Sequence, residues 1–124
     1  MDTLDTTPFT TEWREAKVVK IVDGDTFDLL IDLGFDVRTC TRVRLSGVDT
    51  WEVTGEERPE GLKAKARVLE LMPEGSTVRI RSYRGGSRGK YGRWLADVVY
   101  PLISGEWAPL GETLIKEGHA EVYK

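Results

Sequence analysis

The chain has 124 residues, 40% apolar and 31% charged, with a net charge of −3, which suits a single globular domain with one core. One cysteine, Cys40, and one histidine, His119, exclude an intrachain disulfide and a four-ligand structural zinc site. No apolar run approaches the ~20 residues of a membrane span, and the N-terminus lacks the basic-then-apolar pattern of a leader. A soluble, non-secreted protein is therefore expected, cytoplasmic or of unstated compartment.

Residues 1–11 are polar and aperiodic and read as a disordered tail, with the domain over 12–124. Ala16 to Val22 is rich in β-branched residues and stops at Asp23-Gly24-Asp25, a turn signal. Thr26 to Asp32 predicts a second strand, closed by Leu33-Gly34. Val37 to Leu45 predicts a third, with Val37, Thr39, Thr41, Val43 and Leu45 on one face and Arg38, Cys40, Arg42 and Arg44 on the other. Glu60 to Met72 predicts a helix with an apolar stripe at Leu62, Ala66, Leu69 and Met72, entered at Pro59 and ended by Pro73 and Gly75. Thr77 to Tyr83 alternates as a fourth strand, Arg84 to Gly92 is a basic glycine-rich loop, and Trp94 to Tyr100 is a fifth strand. Ser104-Gly105 is a turn, and Pro109 to Glu117 a short helix ending at Gly118.

The order β-β-β-α-β-β-α is mainly β with helices, an α+β arrangement. A five-stranded Greek-key barrel of the OB-fold type has this order, with a helix between its third and fourth strands and here a short C-terminal helix as well. A small sandwich and an SH3-like barrel are the alternatives, and both usually lack a four-turn helix at that place.

Charge is unevenly spread. Residues 1–60 carry 14 acids and 7 bases, and residues 63–93 carry 9 bases and 2 acids. An acidic half followed by a basic stretch suits a metal pocket beside a phosphate-binding face, and equally a set of solvated charges. Three segments stand out within it: Asp23-Gly24-Asp25-Thr26, Arg44 to Glu52, and Lys90 to Arg93. Each has a plain reading taken alone, as a turn, a surface ion pair or a solvated basic loop.

Together and in this order the three segments resemble the staphylococcal nuclease family, whose pattern is D-G-D-T, then R-L-x-G-V/I-D-T-P-E, then a G-x-x-A helix start, then D-K-Y-G-R-x-L-A. The matching residues here are Asp23 to Thr26, Arg44 to Glu52, Gly61 to Ala64 and Lys90 to Ala96, with Leu114 to Ala120 echoing the family's L-V-x-x-G-x-A. The resemblance spans about Ala16 to Val122. It implies a calcium-dependent endonuclease acting on DNA and/or RNA, with single strands the preferred substrate, leaving 3′-phosphate ends.

By motif position the resemblance makes Asp25 and Asp49 carboxylate ligands of Ca2+, with Thr50 adding its backbone carbonyl. Glu52 orients and deprotonates the attacking water, Arg44 and Arg93 grip the phosphate, and Tyr91 lies along the nucleotide. Lys90, Arg84 and Arg88, on the loop beside Arg93, are the further substrate contacts, and Tyr123 is the candidate for the far wall of the pocket. The chemistry suits those residue types independently. Calcium takes six to eight hard oxygens, and a guanidinium fork matches two phosphoryl oxygens.

Two departures stand out: Trp51 occupies the family's proline position, and Gly89 replaces the aspartate of D-K-Y-G-R. His119, just after a helix-ending glycine, reads as a packing or surface residue. A monomer is expected, with self-association open. The competing function is a binding or interaction barrel that kept the fold and lost activity; it predicts losses among Asp25, Arg44, Asp49, Glu52 and Arg93, and all five are present.

Overall fold

The computed structural model describes residues 12–51, 55–82 and 94–122. Eight strands and two helices follow in the order β1 (Arg14–Asp23), β2 (Thr26–Gly34), β3 (Val37–Leu45), β4 (Val48–Thr50), α1 (Arg58–Leu71), β5 (Thr77–Ser82), β6 (Trp94–Pro101), β7 (Trp107–Pro109), α2 (Leu110–Lys116) and β8 (Ala120–Val122). A single 3-10 turn, Gly55–Glu57, precedes α1.

The barrel is built from β1, β2, β3, β6 and β5. Antiparallel pairings join β1 to β2, β2 to β3, β1 to β5 and β5 to β6, and a short parallel pairing of Val43–Leu45 with Trp94–Ala96 closes it. The result is the five-stranded α+β barrel of OB type that the element order implies.

Inward side chains alternate along each strand: Phe27, Leu29 and Ile31 on β2, Val43 and Leu45 on β3, Val78 and Ile80 on β5, Ala96 and Val98 on β6. On β1 a bulge at Val19 shifts the inward phase from Ala16 and Val18 to Ile21 and leaves Val19 exposed. Such a bulge bends a strand around a barrel.

Three short strands are additions to the sequence reading. β7 extends the barrel sheet beside β6, and β4 and β8 form a separate two-stranded ribbon. At three residues each they are too short to show a period of two. Because β4 intervenes, α1 follows the fourth strand of the chain, and within the barrel it lies between the third and fourth strands, β3 and β5, as expected.

The helix stripe also needs correction. α1 buries Gly61, Ala64, Val68 and Met72, while Leu62 and Ala66 face solvent. The buried spacing of three, four and four includes two small residues, so hydrophobicity placed Met72 and Leu69 correctly and missed Gly61 and Ala64. Small residues are used there because α1 comes close to the β1–β2 turn: a Cβ built on Gly24 would lie 3.1 Å from Ala64 Cβ. Full burial of Val68 and Met72 contributes about 1.5–3 kcal/mol each.

α2 is set by Leu110 and Leu114, both fully buried. Its end is a two-bond cap, in which Gly118 N–H donates to Ile115 O at 3.1 Å and His119 N–H to Leu114 O at 2.8 Å. Gly118 takes φ +80°, as the αL position of that motif requires. The reversal delivers β8 antiparallel to β4, pairing Thr50 with Ala120 and Asp49 with Glu121.

Candidate metal and phosphate site

Four of the predicted residues converge. Asp25 lies in the turn between β1 and β2, Arg44 near the end of β3, and Asp49 and Thr50 on β4. β3 is held against that turn by Leu45 N–H donating to Asp25 O at 2.7 Å, in register with the Thr26–Arg44 pair. Gly47, at φ +78°, turns the chain between β3 and β4.

Asp25 is the buried anchor, its side chain 10% exposed. Its Oδ1 accepts from Thr26 Oγ1 at 3.1 Å, and its Oδ2 accepts from Thr50 N–H at 3.2 Å and from Arg44 Nη2 at 3.4 Å. The same Nη2 donates to Asp49 Oδ1 at 3.0 Å, and the Asp49 side chain is 58% exposed. One guanidinium nitrogen therefore gathers two carboxylates from separate elements, one buried and one at the surface. The two oxygens share this nitrogen as a neighbour.

The donor set suits a hard cation. Two carboxylates and nearby backbone carbonyls are oxygen ligands of the kind calcium takes, with water completing the shell. No cluster of three or more His, Cys, Asp or Glu exists among the described residues. Cys40 is exposed on β3, so a thiolate site for a softer metal does not form here. Thr50 Oγ1 is buried without a hydrogen-bond partner, and it abuts Gly24, where an added Cβ would stand 3.1 Å from it. The site is thus closely packed from below by Gly24 and Ala64.

Glu52, Arg84, Arg88, Lys90, Tyr91, Arg93 and Tyr123 lie outside the described residues, as does the 1–11 segment. Sequence reasoning missed Glu121, which the β4–β8 register sets directly opposite Asp49. Like charges directly opposite each other destabilise a ribbon. Only the pairing of β8 with β4 could have revealed it, and β8 carries no sequence signal of its own.

Other predicted bases are spent on the barrel exterior. Arg79 stacks on Trp107 at 4.3 Å, and Arg81 stacks on Trp13 at 4.6 Å while pairing with Asp97 at 3.1 Å. Away from the site, the fork of Arg42 holds the Asp28 carboxyl below its usual range, and Arg67 does the same to Glu117. His119 is partly buried beside Glu117, 3.9 Å from it.

Residues 42–124 match the profile of a family described as staphylococcal nuclease homologue. Uncharacterized protein MJ1439 of Methanocaldococcus jannaschii is 28% identical to this chain over 133 aligned positions, covering 92% of the chain and 61% of that protein. The chain spans about three-fifths of the length of that relative.

Proposed function

This chain belongs to the staphylococcal nuclease homologue family, and on that premise we propose that it is a calcium-dependent nuclease hydrolysing phosphodiester bonds of DNA and/or RNA. The observation that carries the reading is the bridge from Arg44 Nη2 to both Asp25 and Asp49. It assembles, from three parts of the fold, oxygens for a hard cation and a guanidinium for the phosphate.

Asp25, Asp49 and the Thr50 carbonyl would hold the ion, which when bound would neutralise phosphate charge and make water a better nucleophile. Arg44 and Arg93 take the non-bridging oxygens, where charge grows as the water oxygen bonds to phosphorus. Glu52 accepts the proton of that water. The phosphorus–O5′ bond then breaks as O5′ takes a proton from solvent water, leaving a 3′-phosphate and a 5′-hydroxyl. Tyr91, Lys90, Arg84, Arg88 and Tyr123 contact the strand on either side.

Incubation of the purified protein with single-stranded DNA and with RNA, in millimolar calcium or in chelator, tests the proposal. Cleavage that depends on calcium is expected, and cleavage that survives the chelator removes the metal from the mechanism. Glu52→Gln should lower turnover by about 10²–10⁴ while calcium binding persists. A near-normal rate takes Glu52 out of its role.

A further inference from the structure

The β2–β3 hairpin ends in a residue that the stability of the monomer does not explain. Phe35 and Asp36 close a two-residue loop between Gly34 and Val37, at φ +54° and +60°. Two successive left-handed positions favour Gly, Asn or Asp, and a bulky side chain is strained there. Phe35 is also 100% exposed, so no burial offsets the strain, and Leu33 and Val37 beside it are exposed as well. An exposed aromatic held in a strained conformation has the form of an intermolecular contact.

From that tip β3 runs straight to the candidate site. Arg38, Cys40, Arg42 and Arg44 alternate onto one face of the strand, at a step of about 6.7 Å, close to the phosphate repeat of an extended single strand. The Arg38 side chain makes no hydrogen bond or ion pair among the described residues. The Asp32 opposite it accepts from Gly34 N–H at 2.8 Å instead. Arg42 uses Nε and Nη2 on Asp28 and keeps its Nη1 donors. Arg44 ends the row at Asp25 and Asp49. OB barrels bind oligonucleotides on the face of their second and third strands.

Resting on the reading of Arg44 as a phosphate ligand, we propose that this face of β3 is a track for an extended single strand of DNA or RNA. Arg44 and Arg42 hold adjacent phosphates, Arg38 holds the phosphate two repeats beyond Arg42 because Cys40 stands between them, and a base stacks on Phe35. Arg44 and the hairpin are on the order of 25 Å apart at the rise of a strand, room for about four nucleotides, the lower end of OB-fold site sizes. Asp28 and Asp32 on the neighbouring strand weaken the electrostatic share, so stacking on Phe35 carries most of the length dependence.

Anisotropy of labelled oligothymidylate and oligouridylate, as octamers and as dinucleotides, measures this in chelator, where calcium-dependent cleavage does not intervene. Phe35→Asn is the variant of choice because Asn accepts a positive φ, and its melting temperature should equal or exceed that of the unmodified protein. The octamers should bind about 5- to 100-fold more weakly to it, and the dinucleotides equally well. Arg38→Gln should flatten the salt dependence of octamer binding by about 0.7 in slope. Unchanged octamer affinity in Phe35→Asn overturns the track. So does sedimentation showing a dimer that Phe35→Asn converts to a monomer, because the tip then belongs to a second copy. If no nucleic acid is cleaved but the octamer-specific loss is seen, the proposed nuclease fails and the track stands. Calcium-dependent cleavage with octamer affinity intact in Phe35→Asn removes the track alone.

Discussion

Gly24→Ala separates two reasons for a glycine in a turn. Asp23-Gly24-Asp25 reads as turn chemistry, in which glycine supplies backbone freedom. In the structure Gly24 is not in the left-handed region; what it supplies is space, since an added Cβ would stand 3.1 Å from Ala64 Cβ and from Thr50 Cγ2 and Oγ1. Carbon contacts are best near 3.5–4.0 Å, so the neighbours must yield by roughly half an ångström. Neither can do so cheaply: Ala64 is fully buried on α1 and Thr50 is 6% exposed on β4. Overpacking costs about 1–3 kcal/mol, and the lost freedom of the unfolded chain returns about 0.4–1 kcal/mol. The net loss is roughly 0–2.6 kcal/mol, about 1.3 at mid-range, and each kcal/mol lowers Tm by roughly 3–6 °C in a domain this size. Because Thr50 N–H bonds Asp25 Oδ2, displacing Thr50 should also weaken calcium binding. Urea unfolding and calcium titration calorimetry read the two effects. Gly34→Ala is the control: at φ +83° with nothing within 4 Å of the added Cβ, it should cost about 1 kcal/mol through backbone strain and leave calcium affinity unchanged. Equal calcium affinities for the two variants, or a Gly24→Ala protein more stable than the original, would refute the close-approach argument.

Leu114→Ala empties a fully buried position on α2 and should cost about 2–5 kcal/mol by chemical denaturation at constant m; a loss below 1 kcal/mol means the helix collapses into the gap. Glu117 and Asp28 have folded pKa values lowered first by their arginine partners. The stability they contribute is present above the unfolded carboxylate pKa and disappears as pH falls through the folded values. Glu117→Gln should therefore be less stable than the original at neutral pH and indistinguishable from it in strong acid; an equal gap at both refutes the linkage. Glu121→Gln removes the like charge opposite Asp49 and should stabilise the protein by about 0.2–1 kcal/mol in chelator, with the gain shrinking in millimolar calcium. Thermal melts in both conditions decide it, and a gain that calcium does not change separates Glu121 from the cation.

The barrel strands were legible because each is long enough to show alternation and is bounded by glycine turns. β3 is the clear case, with Val37 to Leu45 read in full and its bases on the face opposite Val43 and Leu45. The α1 face was only half legible from hydrophobicity, which marked Leu69 and Met72 but not Gly61 and Ala64, small residues with little hydrophobic signal. Their burial follows from the approach of the Gly24 turn, a tertiary fact. β4 and β8 were not legible either, as a three-residue strand is defined by its partner alone. The same holds for the site: motif order pointed to Asp25, Arg44, Asp49 and Thr50, but the shared nitrogen of Arg44 and the position of Glu121 appear only once β4 is paired.

That pairing makes the site depend on the far end of the chain. Among the described residues, β4 is paired only with β8, and β8 is aimed by the Gly118 cap of α2. The Arg67 fork on Glu117, at 2.7 and 2.9 Å, ties that cap to α1. The face of α1 in turn rests on Gly24, next to Asp25. Asp25 and Asp49 are therefore held from two directions, one through the β1–β2 turn under α1 and the other through α2 and β8. Arg44, on the barrel wall between them, bridges the two supports. A change at the α2 cap should consequently move Asp49 and Thr50 relative to Asp25, altering cation affinity before it alters the barrel.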